Sequence, residues 1–161
     1  MSVGPTVSSR TGASDLARAA RRLLLARATG PLPTGLVLSG AALLLVSSAI
    51  HLHLWEIAYR SVPTLGPLFL VQAFSAILVA LALAVLRVTA LILAALGLVL
   101  GTICGFALVL TVGLFNFKLG FISTEAAVAL AAESTDVAVL VLAGALTWSG
   151  ARRPLRSTSG G

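Results

Sequence analysis

Glu133 and Asp136 lie three residues apart in an otherwise uncharged stretch. On a helix that spacing puts both on one face. Two carboxyls held together away from water are groups that exchange protons or hold a cation. His51-Leu52-His53 followed by Glu56 is a second cluster, with imidazole and carboxylate of the kind that ligates Zn, Cu or Fe. On a helix, positions 51 and 53 point about 160° apart, and only His53 and Glu56 share a side. The two histidines converge on one metal only if the helix unwinds there; otherwise His51 looks inward and His53 sits among headgroups. Histidines this close on one helix cannot clamp both faces of a porphyrin, so haem is not expected. Ser47, Ser48, His51 and Asp136 have the group types of a hydrolytic triad, but no nucleophile-elbow motif is present. Nor is there an HExxH, a phosphate-binding glycine loop or a dinucleotide fingerprint, so no enzyme is expected. Cys104 is the single cysteine, which excludes an internal disulfide and a CxxC redox pair.

The elements that must position these groups follow from composition. Of 161 residues, 58% are hydrophobic and 10% charged. A soluble domain carries about 25% charge, so this chain has too little to cover a water-facing surface. A soluble enzyme, a disordered chain and a disulfide scaffold are excluded. No charge occurs between Arg27 and Glu56, between Arg60 and Arg87, or between Arg87 and Lys118. Each gap exceeds the roughly 20 residues that a helix needs to cross about 30 Å of hydrocarbon. Spans are placed at 35–54, 65–86 and 89–115, as helices because a segment in lipid must satisfy its own backbone hydrogen bonds.

The fourth segment is harder to place. Between Asp136 and Arg152 lie 15 uncharged residues, about 22 Å of helix and too short to span. Counting back from Trp148 gives a span over about 128–148, with Glu133 and Asp136 inside it. An acid at mid-span costs about 2.5–3.5 kcal/mol and a Leu or Val returns about 0.3–0.6. The segment alone is therefore near balance, and is expected to insert by packing on the other three.

Lys and Arg set the orientation. Arg10, Arg18, Arg21, Arg22, Arg27, Arg87, Arg152, Arg153 and Arg156 fall on one side, and Arg60 and Lys118 on the other. This bias puts both termini in the cytoplasm, with Trp55 and Tyr59 at the outer interface and Trp148 at the inner one. A secretory signal ending near Val46-Ser47-Ser48-Ala49, or a twin-arginine signal at Arg21-Arg22, is outweighed by three further spans. The chain divides into a basic cytoplasmic segment (1–34), a four-helix transmembrane domain (35–150) and a cytoplasmic tail (151–161).

Residues 1–12 are rich in Ser, Gly and Thr and are expected to be disordered. Ser14-Asp15 can cap a short helix over about 14–28. Leu16, Ala20, Leu23 and Leu24 share one side of it, with Arg18, Arg21 and Arg22 on another. It can rest on an anionic leaflet, although a positive-inside stop that fixes topology is the simpler reading. A basic isoelectric point near 11.4 would also suit nucleic acid, but these residues flank spans instead of forming a patch, so no nucleic-acid partner is expected.

Facing positions complete the picture. Gly97, Gly101 and Gly105 recur at steps of four, a doubled GxxxG that lets another helix approach closely. Its partner is either an internal span, a second copy or another subunit. Gly40, Leu44, Ser47, His51 and Trp55 share one side of the first span, and Gln72 lies over Ser75 and Val79 on the second. The Gly side of the third continues through Leu108 and Val112 to Asn116, and the fourth aligns Ala129, Glu133, Asp136, Leu140 and Gly144. Ser47, His51, Gln72, Asn116, Glu133 and Asp136 therefore fall in the outer half, while the inner half is nearly all Ala, Leu, Val and Gly. Polar residues inside membranes face one another or a wet cavity. The fold class expected is all-α: a four-helix transmembrane bundle, dry on the cytoplasmic side, with an outer polar pocket.

The stretches His51-Leu52-His53-Leu54-Trp55, Tyr59-Arg60 and Pro63-Thr64-Leu65-Gly66-Pro67-Leu68-Phe69-Leu70-Val71-Gln72 resemble a group of small four-span integral membrane proteins of high-GC actinobacteria. Gly113-Leu114-Phe115-Asn116-Phe117, Ser123-Thr124-Glu125 and Glu133 extend the resemblance, which covers about 35–148. It implies four helices and a plasma-membrane home. It implies no activity, so no catalytic residue is carried over. The expected function is a non-enzymatic bundle whose outer pocket, with Glu133, Asp136, Gln72, Ser47 and Asn116, binds a proton, a metal ion at His51, His53 and Glu56, or a small ligand, for transport or as an accessory subunit. The alternative is a structural subunit of a homo-oligomer or larger membrane complex, docked through Gly97, Gly101 and Gly105.

Overall fold

The computed structural model describes residues 9–113 and 124–152. These form five α-helices: α1 (Ser9–Leu24), α2 (Pro31–Leu54), α3 (Leu65–Leu86), α4 (Thr89–Thr111) and α5 (Thr124–Arg152). A π-helical turn, Trp55–Tyr59, continues α2. Four stretches are long and apolar enough to cross a membrane: Pro31–Tyr59, Leu65–Leu86, Thr89–Thr111 and Ala126–Ala151.

The second span has the expected limits. α2 begins at Pro31 instead of 35, because a proline fits the first helical turn, where its missing N–H has no partner to lose. Gly30, at φ 89°, makes the turn into it. α4 ends at Thr111, where Val112 and Gly113 both donate to the Leu108 carbonyl and Gly113 takes φ 83°. The expected end at 115 and Asn116 lie outside the described residues, as do the start of the basic segment and the end of the tail. α1 runs over 9–24 instead of 14–28, so Ser14 and Asp15 sit within the helix and not at its cap; Asp15 pairs with Arg18.

The Leu25 and Ala26 N–H groups still bond back to Arg21 and Leu23, and the chain then leaves the helix, with the Ala26 carbonyl, Arg27 and Ala28 engaged elsewhere. The Ala28 N–H donates to the Arg87 carbonyl at 2.8 Å, and the Thr89 N–H and hydroxyl donate to the Ala26 carbonyl at 2.9 and 3.1 Å. Arg27 Nε donates to the Leu86 carbonyl at 3.1 Å, satisfying an acceptor left over at the end of α3. This isolated bridge, Arg27 against Val88, clips the α1–α2 linker to the turn between α3 and α4. Arg87 makes that turn possible by taking the left-handed conformation at φ 52°.

α2 packs against α3 and α5, and α4 against the same two helices. The α2–α5 contact is antiparallel, since Ser47 meets Glu133 while Gly40 meets Asp136 and Leu140. Gly144 lies by Ile92, near the start of α4. The C-terminal end of α5 therefore lies at the clipped end, beside the starts of α2 and α4. Val37, Ala41, Leu44, Ala76, Ala80, Leu83, Ile92, Ala95, Val99, Leu140 and Ala143 make a continuous apolar core at that end. Gly40 is required there: a Cβ on it would stand 2.6 Å from Leu140 Cδ2 and 3.3 Å from Asp136 Oδ1.

Large apolar side chains also cover the outside, with Val71, Leu78 and Val85 at 62–68% exposure. Such a surface suits a hydrocarbon solvent. Hydroxyls on these helices turn back on their own backbone, as Ser134 does to Leu130, Thr135 to Ala131 and Thr102 to Leu98. Polar side chains can thus sit on α4 and α5 without stranding a donor.

Candidate functional site

At the end away from the clip the helices separate. On α4 the buried series Ile92, Ala95 and Val99 gives way to half-buried Thr102, Ile103 and Phe106. On α3 the buried series Leu83, Ala80, Ala76 and Ala73 gives way to half-buried Gln72 and Phe69. Between them lies a partly open cavity of about 290 Å³, lined also by His51 and Leu54 from α2, Tyr59 from the π turn, and Ala126, Ala129, Leu130 and Glu133 from α5. Gln72 lines the cavity, while Ala73, Ala76 and Ala80 make the tight contact of α3 and Ser75 and Val79 flank it, half-buried.

Three aromatic rings form one wall. Tyr59 stacks on Phe69 with centroids 4.5 Å apart and planes at 15°, and His51 meets Phe69 at 5.4 Å. The π turn places Tyr59 here, bringing it over α3. Gly66 makes room for that turn; a Cβ on it would stand 2.7 Å from the Tyr59 carbonyl oxygen. Outside the cavity the Arg60 guanidinium lies 5.7 Å from the Trp55 ring centroid.

The polar groups are held unequally. Ser47 donates its hydroxyl to Glu133 Oε1. His51 Nδ1 reaches the Ser47 carbonyl at 2.8 Å, which puts the proton of a neutral ring on Nδ1 and leaves the lone pair on Nε2. Ser48 donates to the Ala73 carbonyl at 3.0 Å and so joins α2 to α3. Four buried atoms have no hydrogen-bond partner among the described residues: Gln72 Nε2, Glu133 Oε2 and both carboxyl oxygens of Asp136. Glu133 is 3% exposed and Asp136 1%. Gln72 and Glu133 line the cavity; Asp136 lies one turn deeper, at the α2–α5 contact beside Gly40.

The structure thus brings together Ser47, His51, Gln72 and Glu133, with Asp136 behind them. A network of Glu133 and Asp136 with His51, Gln72 and Ser47 would be the purely architectural arrangement, and of those bonds only Ser47 to Glu133 is formed. His51, His53 and Glu56 are not brought together. The chain stays helical through the π turn, so His51 is buried on the core side, whereas His53 and Glu56 are exposed. Among the described residues no three His, Cys, Asp or Glu side chains are grouped to hold a metal ion. The Gly97, Gly101 and Gly105 row faces away from the core, and a Cβ at any of the three meets nothing within 4 Å. Gly101 and Gly105 also border the cavity. Sequence reasoning missed the aromatic wall; Tyr59 and Phe69 read there as an interface marker and a span residue, and only the π turn stacks them.

The chain matches no family model, and neither the curated proteins nor the solved structures contain a match to it. Its function has to be read from this geometry.

Proposed function

We propose that this is a non-enzymatic multi-pass protein of the plasma membrane, a four-helix bundle with both termini cytoplasmic. Its outer cavity binds a small, mostly apolar ligand through Glu133 and Gln72, for transport or as an accessory subunit. The observation that carries this reading is the pair of unpartnered buried atoms, Gln72 Nε2 and Glu133 Oε2, on residues that line one apolar cavity. A buried polar group without a partner costs about 1–3 kcal/mol. A ligand that supplies the missing hydrogen bonds recovers that cost, and the apolar and aromatic walls hold the rest of it. The orientation follows the Lys and Arg bias, and the clip agrees with it by gathering Arg27 and Arg87 at one end. The resemblance to four-span actinobacterial membrane proteins supports the location.

The test uses aminoanthracene, a small apolar amine whose fluorescence rises on leaving water, with the detergent-purified full chain. Saturable binding that is lost in Glu133→Leu and Gly105→Leu, and retained in Gly97→Leu, is expected. Absence of saturable binding, or equal binding by all four proteins, overturns the proposal.

A second reading is favoured by the open Gly row. A face that meets nothing within 4 Å suits a helix of a second copy or of another subunit, because close backbone approach drives association in lipid. Gly97 lies outside the cavity, so a Gly97→Leu change that dissociates an oligomer or removes a co-purifying subunit supports docking independently of the ligand.

A further inference from the structure

α1 has two sides of opposite chemistry, and among the described residues the apolar one is covered only in part, at half-buried Leu23, where the helix touches α4. Leu16, Ala20, Leu23 and Leu24 lie together on the helix; Arg18, Arg21 and Arg22 lie opposite. Leu16 is 74% exposed and Leu24 43%, and Leu25 just beyond is 54% exposed. An apolar face left open to water in a chain with so much apolar surface calls for a cover, and the clip identifies it. The backbone bonds from 26–28 to 87–89 hold the C-terminal end of α1 level with the end of α3 and the start of α4. Those are the ends of two helices long and apolar enough to cross a membrane, so α1 leaves the clip where hydrocarbon meets headgroups. Over residues 14–24 three arginines stand against one aspartate, a net two positive charges, and Asp15 is already paired with Arg18.

We propose that α1 is an interfacial helix, its leucine side seated in the bilayer surface at the clipped end and its arginines bound to anionic lipid headgroups. Backbone hydrogen bonds, which side-chain substitution leaves intact, fix where the helix leaves the spans. Arg21 and Arg22 are both exposed and free to reach headgroup phosphates alongside the helix. Arg27 is committed to the Leu86 carbonyl and acts as part of the clip.

The test places an environment-sensitive fluorophore on Leu16→Cys, in the full chain carrying Cys104→Ser, reconstituted in vesicles. One set of vesicles is phosphatidylcholine and the other replaces one third of it with phosphatidylglycerol. A blue-shifted, quencher-protected label in the anionic vesicles that high salt returns toward the phosphatidylcholine value is expected. At about 1 kcal/mol per charge, two net charges change the ratio of seated to unseated helix about thirtyfold. Arg21→Gln/Arg22→Gln should remove the lipid dependence while leaving the clip and the label site unchanged. A label equally wet in both vesicles overturns the proposal. So does one equally protected in both and insensitive to salt. Protection that falls on diluting the protein into more anionic lipid would show that a second copy, not the bilayer, covers the face.

Discussion

The bond joining Ser47 of α2 to Glu133 of α5 can be weighed directly. Ser47→Ala removes the hydroxyl that donates to Glu133 Oε1 and that also lies 3.4 Å from His51 Nδ1, while the shorter 2.8 Å bond from His51 Nδ1 to the Ser47 carbonyl is kept. Ser47 is 4% exposed and Glu133 3%, so bulk water does not reach the place of the lost donor. Glu133 Oε2 is already unpartnered, and the substitution leaves the whole carboxyl without a donor among the described residues. Hydrogen bonds inside membranes are worth about 0.6–1.7 kcal/mol, and stranding a buried acceptor costs about 1–3. The expected destabilisation is therefore about 1–2 kcal/mol. Glu133→Leu removes the acceptor itself, fills similar volume with apolar atoms and is expected to be neutral or stabilising. In that background Ser47→Ala should cost almost nothing. Reversible unfolding of the four proteins of this cycle in bicelles, by detergent titration or steric trapping, gives the coupling. Costs for Ser47→Ala that agree within about 0.3–0.5 kcal/mol in both backgrounds would refute the reasoning, since independent sites add to within that margin.

Asp136→Leu removes two unpartnered oxygens and should favour membrane insertion of segment 124–152 by about 3 kcal/mol. A glycosylation-site insertion assay should move from partial to near-complete spanning, and an unchanged ratio would show that Asp136 does not limit insertion. Gly66→Ala puts a Cβ 2.7 Å from the Tyr59 carbonyl oxygen, a backbone atom that cannot swing aside. It should cost about 1–3 kcal/mol and loosen the stacked rings, read as lower thermal stability together with weaker aminoanthracene binding. Ser48→Ala loses the 3.0 Å bond to the Ala73 carbonyl. That oxygen is a backbone acceptor within α3, so the loss should stay near about 0.5–1 kcal/mol by the same unfolding assay; a much larger effect would mean that Ser48 has a further role.

Charge spacing made the spans legible. The second matches residue for residue, because Arg87 and the Pro63–Gly66 corner bracket an uninterrupted apolar run. The burial of Glu133 and Asp136 was legible for the same reason: no other placement lets the fourth helix span. The limits of α1 were not, because the chain just beyond it is held by a pair of backbone bonds to residues some sixty positions away, and a local capping signal at Ser14-Asp15 carries no information about them. The π turn was equally hidden. It depends on the close approach of the Gly66 backbone to the Tyr59 and Arg60 carbonyls, a fit between chain segments that helical periodicity does not encode. Gln72 was found by type and depth, but which α3 face packs was decided by the small volume of Ala73, Ala76 and Ala80.

α3 and α4 share an apolar core at the clipped end and line a cavity at the other, so in the proposed orientation the bundle is packed differently behind the two leaflets. A bundle with a cavity at one end exchanges work with the elastic stress of the surrounding lipid. Lipids with small heads and bulky tails press hardest where chains meet, and those with large heads press hardest at the surface, so lipid shape acts on the cavity end like a hand on a pair of tongs. Occupancy of the cavity should therefore shift when phosphatidylethanolamine replaces phosphatidylcholine at fixed charge, and Gly105→Leu, which adds a side chain at the cavity's border, should blunt that response.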